Sequence, residues 1–466
     1  MSNKANSSAQ PGVLEKVFKL KEHNTNVKTE IAAGVTTFMT MAYILAVNPS
    51  ILSAAGMDST AVLIATCLAS FVGTILMGLL ANLPFALSAG MGLNAYLAYT
   101  VCIGFGYSWQ IALLAVFIEG IIFIILSLTN VREAIFNCIP MPLKKAVSVG
   151  IGLFIAFIGL QNSGLVKANA STLVSITNFT QDFNTAGISA LLALLGTIFT
   201  FVLHARNVKG SILIGIFATW IVGIICQLVG LYVPTPDAGF YSLIPSFSLT
   251  DFSAFGLTFG QCFNVDFSSV DILNFIVIIF SFLFVDLFDT LGTLIGVSAK
   301  ANMLDENGKL PAIKPALLSD AIATSVGAIF GTSTTTTFVE SSAGVGVGGR
   351  TGLTAITTGV LFLLSVFLAP IFTAIPSFAT APALIVVGFL MFSAIADLKF
   401  DAENLTDTIP AYICVIAMPL FYSISEGISL GIISYTLINL FTGKAKKIPV
   451  LLYVLSVLFI LKYIFL

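Results

Sequence analysis

The chain has 466 residues, of which 57% are hydrophobic and 9% charged, with a mean hydropathy of +1.03. Soluble domains carry about 25% charged residues, so a water-facing globular surface is excluded and a bilayer is the matching solvent. A formal net charge of −2, with no basic block, gives no footprint for nucleic acid.

Residues 1–28 are polar, with Lys16, Lys19, Lys21 and Lys28 ahead of the first long apolar run. No short apolar core with a small-residue cleavage site occurs there, so the stretch reads as a cytosolic tail and not a removable signal. Apolar runs then follow near 30–48, 60–82, 84–103, 108–128, 144–162, 187–204, 210–233, 271–298, 315–331, 336–350, 353–374, 379–397, 409–424 and 425–442. A spanning helix needs roughly 20 apolar residues, which makes these fourteen candidate segments. The thirteenth and fourteenth are short enough for half-depth helices. A last piece, 449–466, reads either as a further span or as a surface-lying helix.

Basic residues test this division, because short loops rich in Lys and Arg stay in the cytoplasm. Arg132, Lys144 and Lys145 follow the fourth segment, and Arg206 and Lys209 the sixth. Lys300, Lys309 and Lys314 follow the eighth, Arg350 the tenth, Lys399 the twelfth, and Lys444, Lys446 and Lys447 the fourteenth. Every cluster falls after an even-numbered segment, which places both ends of the main body in the cytoplasm. Loop 234–270 has no Lys or Arg and is assigned an extracytoplasmic, covering role.

Two matches recur at an offset of 254 residues. Ser88-Ala89-Gly90-Met91-Gly92 returns as Ser342-Ala343-Gly344-Val345-Gly346, and Ala69, Val72, Gly73 and Ile75 as Ala323, Val326, Gly327 and Ile329. With seven segments per half, the second half must insert upside down, the inverted-repeat plan of many secondary transporters. The third and tenth segments are Gly-rich and poor continuous helices. Each reads as a broken helix, an extended piece followed by a half-helix whose N–H groups, at Gly90, Ser342 and Gly344 among others, could hold a solute. Close packing through small residues is the alternative.

Acids within apolar runs cost at least about 2.5–3.5 kcal/mol at mid-bilayer, so they face an interior or a polar cavity. Asp286 and Asp289 lie three apart in the eighth segment, which puts them on one helix face. Asp320 lies in the ninth segment and Glu340 in the tenth. Removing a carboxyl from water favours its neutral form, which makes Asp289, Asp286 and Glu340 the proton-coupling candidates. Asn94 follows the third-segment glycines and can both donate to and accept from a ligand. The run Thr334–Thr337 either lines the approach to Glu340 or satisfies the broken backbone.

Enzymatic and metal chemistry find no residues to carry them. There is no Ser/His/Asp or HExxH arrangement, and GVGVGG at 344–349 lacks the Gly-Lys-Ser/Thr of a phosphate loop. Only two histidines, His23 and His204, are present. The cysteines Cys67, Cys102, Cys138, Cys226, Cys262 and Cys414 are scattered without a CxxC. No metal or cofactor is expected, and the chain reads as a secondary transporter for a small polar solute, not as an enzyme or a channel.

The stretches TEIAAGVTTFMTMAYILAVNPSIL (29–52), SAGMGLNAYLAY (88–99), FVDLFDTLGTLIGVS (284–298) and LLSDAIATSVGAIFGTSTTTTFVESSAGVGVGGRTGL (317–353) together resemble the AzgA-like purine permeases. These are the hypoxanthine/guanine/adenine branch of the nucleobase–ascorbate (xanthine/uracil permease) transporters, and the resemblance runs from about 15 to 466. It implies an all-α membrane protein of fourteen segments in two inverted seven-helix repeats. A core domain is then formed by 29–130 and 271–374, and a gate domain by 131–233 and 375–466. It also implies proton-coupled import of a purine nucleobase across the plasma or inner membrane, with a homodimer as an oligomeric option. The family's binding acids match Asp289 and Glu340, and its third-segment asparagine matches Asn94. Phe288 and Phe338 are the aromatic neighbours for ring stacking. The rival readings are a transporter of the same architecture for xanthine, uracil or an inorganic anion.

Overall fold

The computed structural model describes residues 13–129, 139–245, 249–268, 270–306, 310–399 and 405–465. Arg132, Cys138 and Lys309 lie outside the described residues. Among the described residues, eleven helices are long and apolar enough to cross a bilayer. They correspond to every predicted segment except the third, tenth and thirteenth, and those three are broken or short. The thirteenth, Leu405–Leu420, has 16 residues, about 24 Å at 1.5 Å per residue.

Local chemistry explains the boundaries. Asn26, Asp58 and Ser423 each accept a backbone N–H three residues on, at the starts of the first, second and fourteenth segments, which satisfies donors a helix start leaves open. The first segment is two helices, Val27–Met41 and Ile44–Ser53, separated at Ala42 and Tyr43. The sixth and seventh segments, Ile188–Ala205 and Ser211–Leu228, cross through paired glycines. A Cβ on Gly196 would meet Thr219, and one on Gly215 would meet Thr200. Their other faces expose Leu195, Ile198, Val202, Ile221 and Ile225, the apolar stripe that lipid requires.

Packing sorts the segments into two groups. The ninth, Ile313–Phe330, lies against the second and fourth, and the eleventh, Gly352–Ser365, against the first and second. The fifth, Met141–Asn162, lies against the twelfth and thirteenth, and the sixth against the seventh and twelfth. Loop 234–270 closes one end of the first group. Its Thr258 hydroxyl donates to Phe330 O at 3.0 Å, and its Gly260 N–H donates to Ile329 O at 2.7 Å, which satisfies the last carbonyls of the ninth segment.

The final helix, Val450–Phe465, packs on the bundle. It runs antiparallel along the fourteenth, Ile424–Phe441, as contacts Thr436–Ser456, Ser429–Tyr463 and Glu426–Lys462 require.

The third and tenth segments are broken as their glycines predict. The third comprises a strand, Leu87–Ala89, then the half-helix Met91–Ala95. The tenth comprises a strand, Thr335–Thr337, then the half-helix Ser341–Val347. The strands pair antiparallel, with Ser88 opposite Thr336, as two inverted elements must when they meet head to head. This register corrects one expectation. It aligns the strands at an offset of 248 residues and the helix-preceding positions Gly90 and Glu340 at 250. The offset of 254 in the Ser-Ala-Gly match instead sets a strand against the interior of a helix. That match is local composition, not structural equivalence.

A candidate solute site where the two broken segments cross

Each broken piece leaves polar backbone groups at mid-bundle, where lipid offers no partner. The strands satisfy most of them on each other and on flanking hydroxyls. Gly90 N–H donates to Thr334 O at 3.0 Å, and Phe338 N–H donates to Ala86 O at 3.0 Å. Thr74 and Thr324, from the second and ninth segments, donate to Leu87 O and Thr335 O at 3.1 Å each. Ser341 Oγ accepts from Ala86 N–H at 3.0 Å. The threonine run therefore has a structural task, and its hydroxyls also reach the acids.

Glu340 stands at the position preceding the tenth-segment half-helix. The Tyr43 hydroxyl, from the break in the first segment, donates to its Oε1 at 2.6 Å. Asp289 Oδ2 accepts from the Thr336 hydroxyl at 3.2 Å. Thr336 is four residues before Glu340, so strand and turn bring the eighth and tenth segments' acids to one crossing. Both acids are only partly covered. Among the described residues neither carries a salt bridge to Lys or Arg.

Asp286 shares the inward face with Asp289 but meets different partners. It is fully buried, and its Oδ1 accepts from Thr290 at 2.8 Å, while the same hydroxyl lies 3.0 Å from Asp320 Oδ1. Three residues leave the two side chains about 60° apart around the helix, so both face the core, Asp286 beside the ninth segment's Asp320 and Asp289 beside the strand's Thr336. Asn94 is also fully buried, and its Oδ1 accepts from Ser333; its Nδ2 has no hydrogen-bond partner among the described residues.

The glycines at the breaks permit close packing. The Gly90 N–H is engaged by Thr334 O, and a Cβ there would stand 3.1 Å from the Thr336 side chain. A Cβ on Gly344 would stand 2.1 Å from Thr37 Oγ1 and 2.7 Å from Ala33 O, so this glycine lets the half-helix approach the first segment. Ser342 is half-buried, and its N–H donates to Val339 O at 3.0 Å. The Gly90 and Ser342 N–H groups, two of the expected backbone donors, are thus hydrogen-bonded within the fold. Phe288 and Phe338 are both buried.

Two further acids went unremarked in the sequence. Glu119 of the fourth segment accepts from the Thr334 hydroxyl at 2.9 Å. Glu30, fully buried, accepts from Thr351 N–H, Thr354 N–H and Arg350 N–H, and so caps the eleventh segment. The signal for Glu119 was a carboxyl inside the apolar run AVFIEGIIF.

Paired broken helices inside a two-group helical bundle, with acids at their crossing, define a membrane transport protein of the inverted-repeat class. The chain belongs to the xanthine/uracil permease family (Permease family), whose model matches residues 28–445. It is 43% identical to the adenine permease AdeP of Escherichia coli, covering 97% of this chain and 96% of that one. It is 44% identical to the guanine/hypoxanthine permease PbuG of Bacillus subtilis, covering 96% and 99%. Among solved structures, the transmembrane domain of the cyanobacterial bicarbonate transporter BicA superposes with a TM-score of 0.64 at 14% identity, covering 86% of this chain and 97% of that one. That likeness is one of fold.

Proposed function

We propose that this chain imports purine nucleobases by proton symport, with its N-terminus in the cytoplasm of a plasma or inner membrane. In this reading segments 1–4 and 8–11 form a core that carries the site, and segments 5–7 and 12–14 form a gate against which the core moves. The observation that carries it is the placement of Asp289 and Glu340 together, partly covered and without a cationic partner among the described residues, at the crossing of the broken segments. A carboxylate accepts two N–H groups side by side, the pattern a neutral purine offers along its edge. The relatives named as adenine and guanine/hypoxanthine permeases support the same class of solute.

An anion is the other reading, since solved neighbours of this fold include a bicarbonate transporter and an anion transporter. Two acids at the crossing disfavour it. The nearby Arg350 directs Nη1 to Val345 O and Gly349 O, at the end of the half-helix remote from Glu340.

Uptake of labelled hypoxanthine, guanine, adenine, xanthine and uracil, with and without a protonophore, tests the proposal. Glu340→Gln should cut purine uptake about 10- to 150-fold, the equivalent of one charged hydrogen bond at about 1.5–3 kcal/mol, with membrane insertion unchanged. Full transport by that variant removes Glu340 from the site, and insensitivity to the protonophore removes proton coupling.

A further inference from the structure

A shallow, open polar pocket lies where the first and fifth segments end and the twelfth begins. Ser50, Ser53, Ala54, Tyr99, Asn162 and Ser377 line a cavity of about 250 Å³. It lies between the two packing groups, and in the orientation proposed above it faces outward. Drug-sized ligands occupy roughly 300–1,000 Å³, so this space suits a bicyclic base and not a nucleotide. Five of its six lining side chains carry a hydroxyl or an amide, and none carries a charge. Such a lining hydrogen-bonds a neutral polar molecule and leaves an ion uncompensated.

The donors and acceptors are specific. Asn162 Nδ2 donates to Tyr99 Oη at 2.9 Å, which leaves Asn162 its Oδ1 and a second N–H, and leaves Tyr99 its own proton to donate. An amide presenting one donor beside one acceptor is the group that reads a purine edge in nucleic-acid recognition. The Ser50 and Ser377 hydroxyls make no hydrogen bond among the described residues. Behind the cavity, Tyr99 meets Tyr422 edge-on at 5.8 Å, and Phe154 and Phe157 flank Tyr422 at 5.3 and 6.1 Å. The Thr100 hydroxyl donates to Tyr422 O at 3.3 Å. An aromatic wall therefore joins the third and fifth segments to the turn between the thirteenth and fourteenth.

We propose that this cavity is a second nucleobase site, an outer waiting position that holds a purine by the Asn162 amide and the Tyr99 hydroxyl before the central acids receive it. The inference rests on the nucleobase reading above. Its contribution is that solute binding survives loss of the central site.

Equilibrium binding of labelled hypoxanthine and guanine to the purified full chain in lipid nanodiscs tests it. The wild type should show two classes of site, and Glu340→Gln should keep one. Adding Asn162→Ala or Ser377→Ala to that variant should weaken the remaining class about 3- to 10-fold, the effect of one neutral hydrogen bond. Ser377 is exposed at a helix start, so its variant folds even if the Asn162 variant does not. A single class of site that disappears with Glu340→Gln, while the wild type still transports, overturns the second site alone. A residual class unaffected by both substitutions places it elsewhere and also overturns it. A wild type that neither binds nor transports any nucleobase removes the proposed function, and this inference with it.

Discussion

Asp286 and Asp289 occupy one helix yet answer to different neighbours, and the difference sets what each can do. Asp286 shares the Thr290 hydroxyl with Asp320 in a fully buried cluster. One hydroxyl has one hydrogen, so this cluster is sensitive to any change in its donors. Asp289 reaches the strand and remains partly open. Asp289→Asn is therefore expected to reduce purine uptake at least about 10-fold, a loss of the size of one charge-assisted hydrogen bond. Asp286→Asn should leave the KM for uptake near the wild-type value and lower thermal stability instead. Measuring KM and Tm for both variants separates the roles, and a raised KM in Asp286→Asn would return that residue to the site. A carboxyl in an apolar run was legible from charge alone, which is why Asp289 and Glu340 stood out. The fate of Asn94 was not, because its partner Ser333 is 239 residues away. Tyr43 was equally hidden, for a tyrosine in an apolar run gives no sign of the carboxylate 297 residues on that it holds.

At the scale of elements, the breaks in the third and tenth segments were visible as poor helix propensity, but the job of each glycine was not. A glycine that frees an N–H for a ligand and one that admits a neighbouring helix look the same in sequence. The structure assigns Gly344 to close approach, with Thr37 Oγ1 and the Ala33 carbonyl where a side chain would stand. Gly346, two residues on, has open space around it. Gly344→Ala should cost about 1–3 kcal/mol, the range for overpacking a tight contact, whereas Gly346→Ala should stay within about 0.5 kcal/mol. Thr37→Ala should relieve the first variant only in part, because the Ala33 carbonyl is backbone and cannot swing away. Denaturation of the purified variants in detergent reads these differences. Equal stability of the two glycine variants would show that the half-helix does not press on the first segment. The same distinction explains the misaligned repeat. Small residues recur wherever helices pack closely, so Ser-Ala-Gly marks crowding in both halves, while the second and ninth segments do align at 254 residues and the strands at 248.

For the whole molecule, the hydropathy pattern located every segment to within about five residues, because lipid demands apolar length. It did not decide the last helix. Val450–Phe465 is apolar throughout, and what ties it to the fourteenth segment is a set of contacts with residues up to 37 positions earlier, the ion pair of Lys462 with Glu426 among them. In the proposed orientation, which rests on the alternation of basic loops, the hairpin Val166–Asn169 with Leu173–Ile176, between the fifth and sixth segments, faces outward, and the turn carrying Lys446 faces inward. Both positions are exposed at the ends of the bundle, so single cysteines at Ser171 and Lys446 report their compartments directly. In a background with the six native cysteines replaced, a membrane-impermeant maleimide added to intact cells should label Ser171→Cys at once and Lys446→Cys only after permeabilisation. The reverse pattern inverts the molecule. Labelling of both from outside requires one segment between them not to cross, and the 16-residue thirteenth, about 24 Å long against a hydrocarbon core of about 30 Å, is the segment that would have turned back.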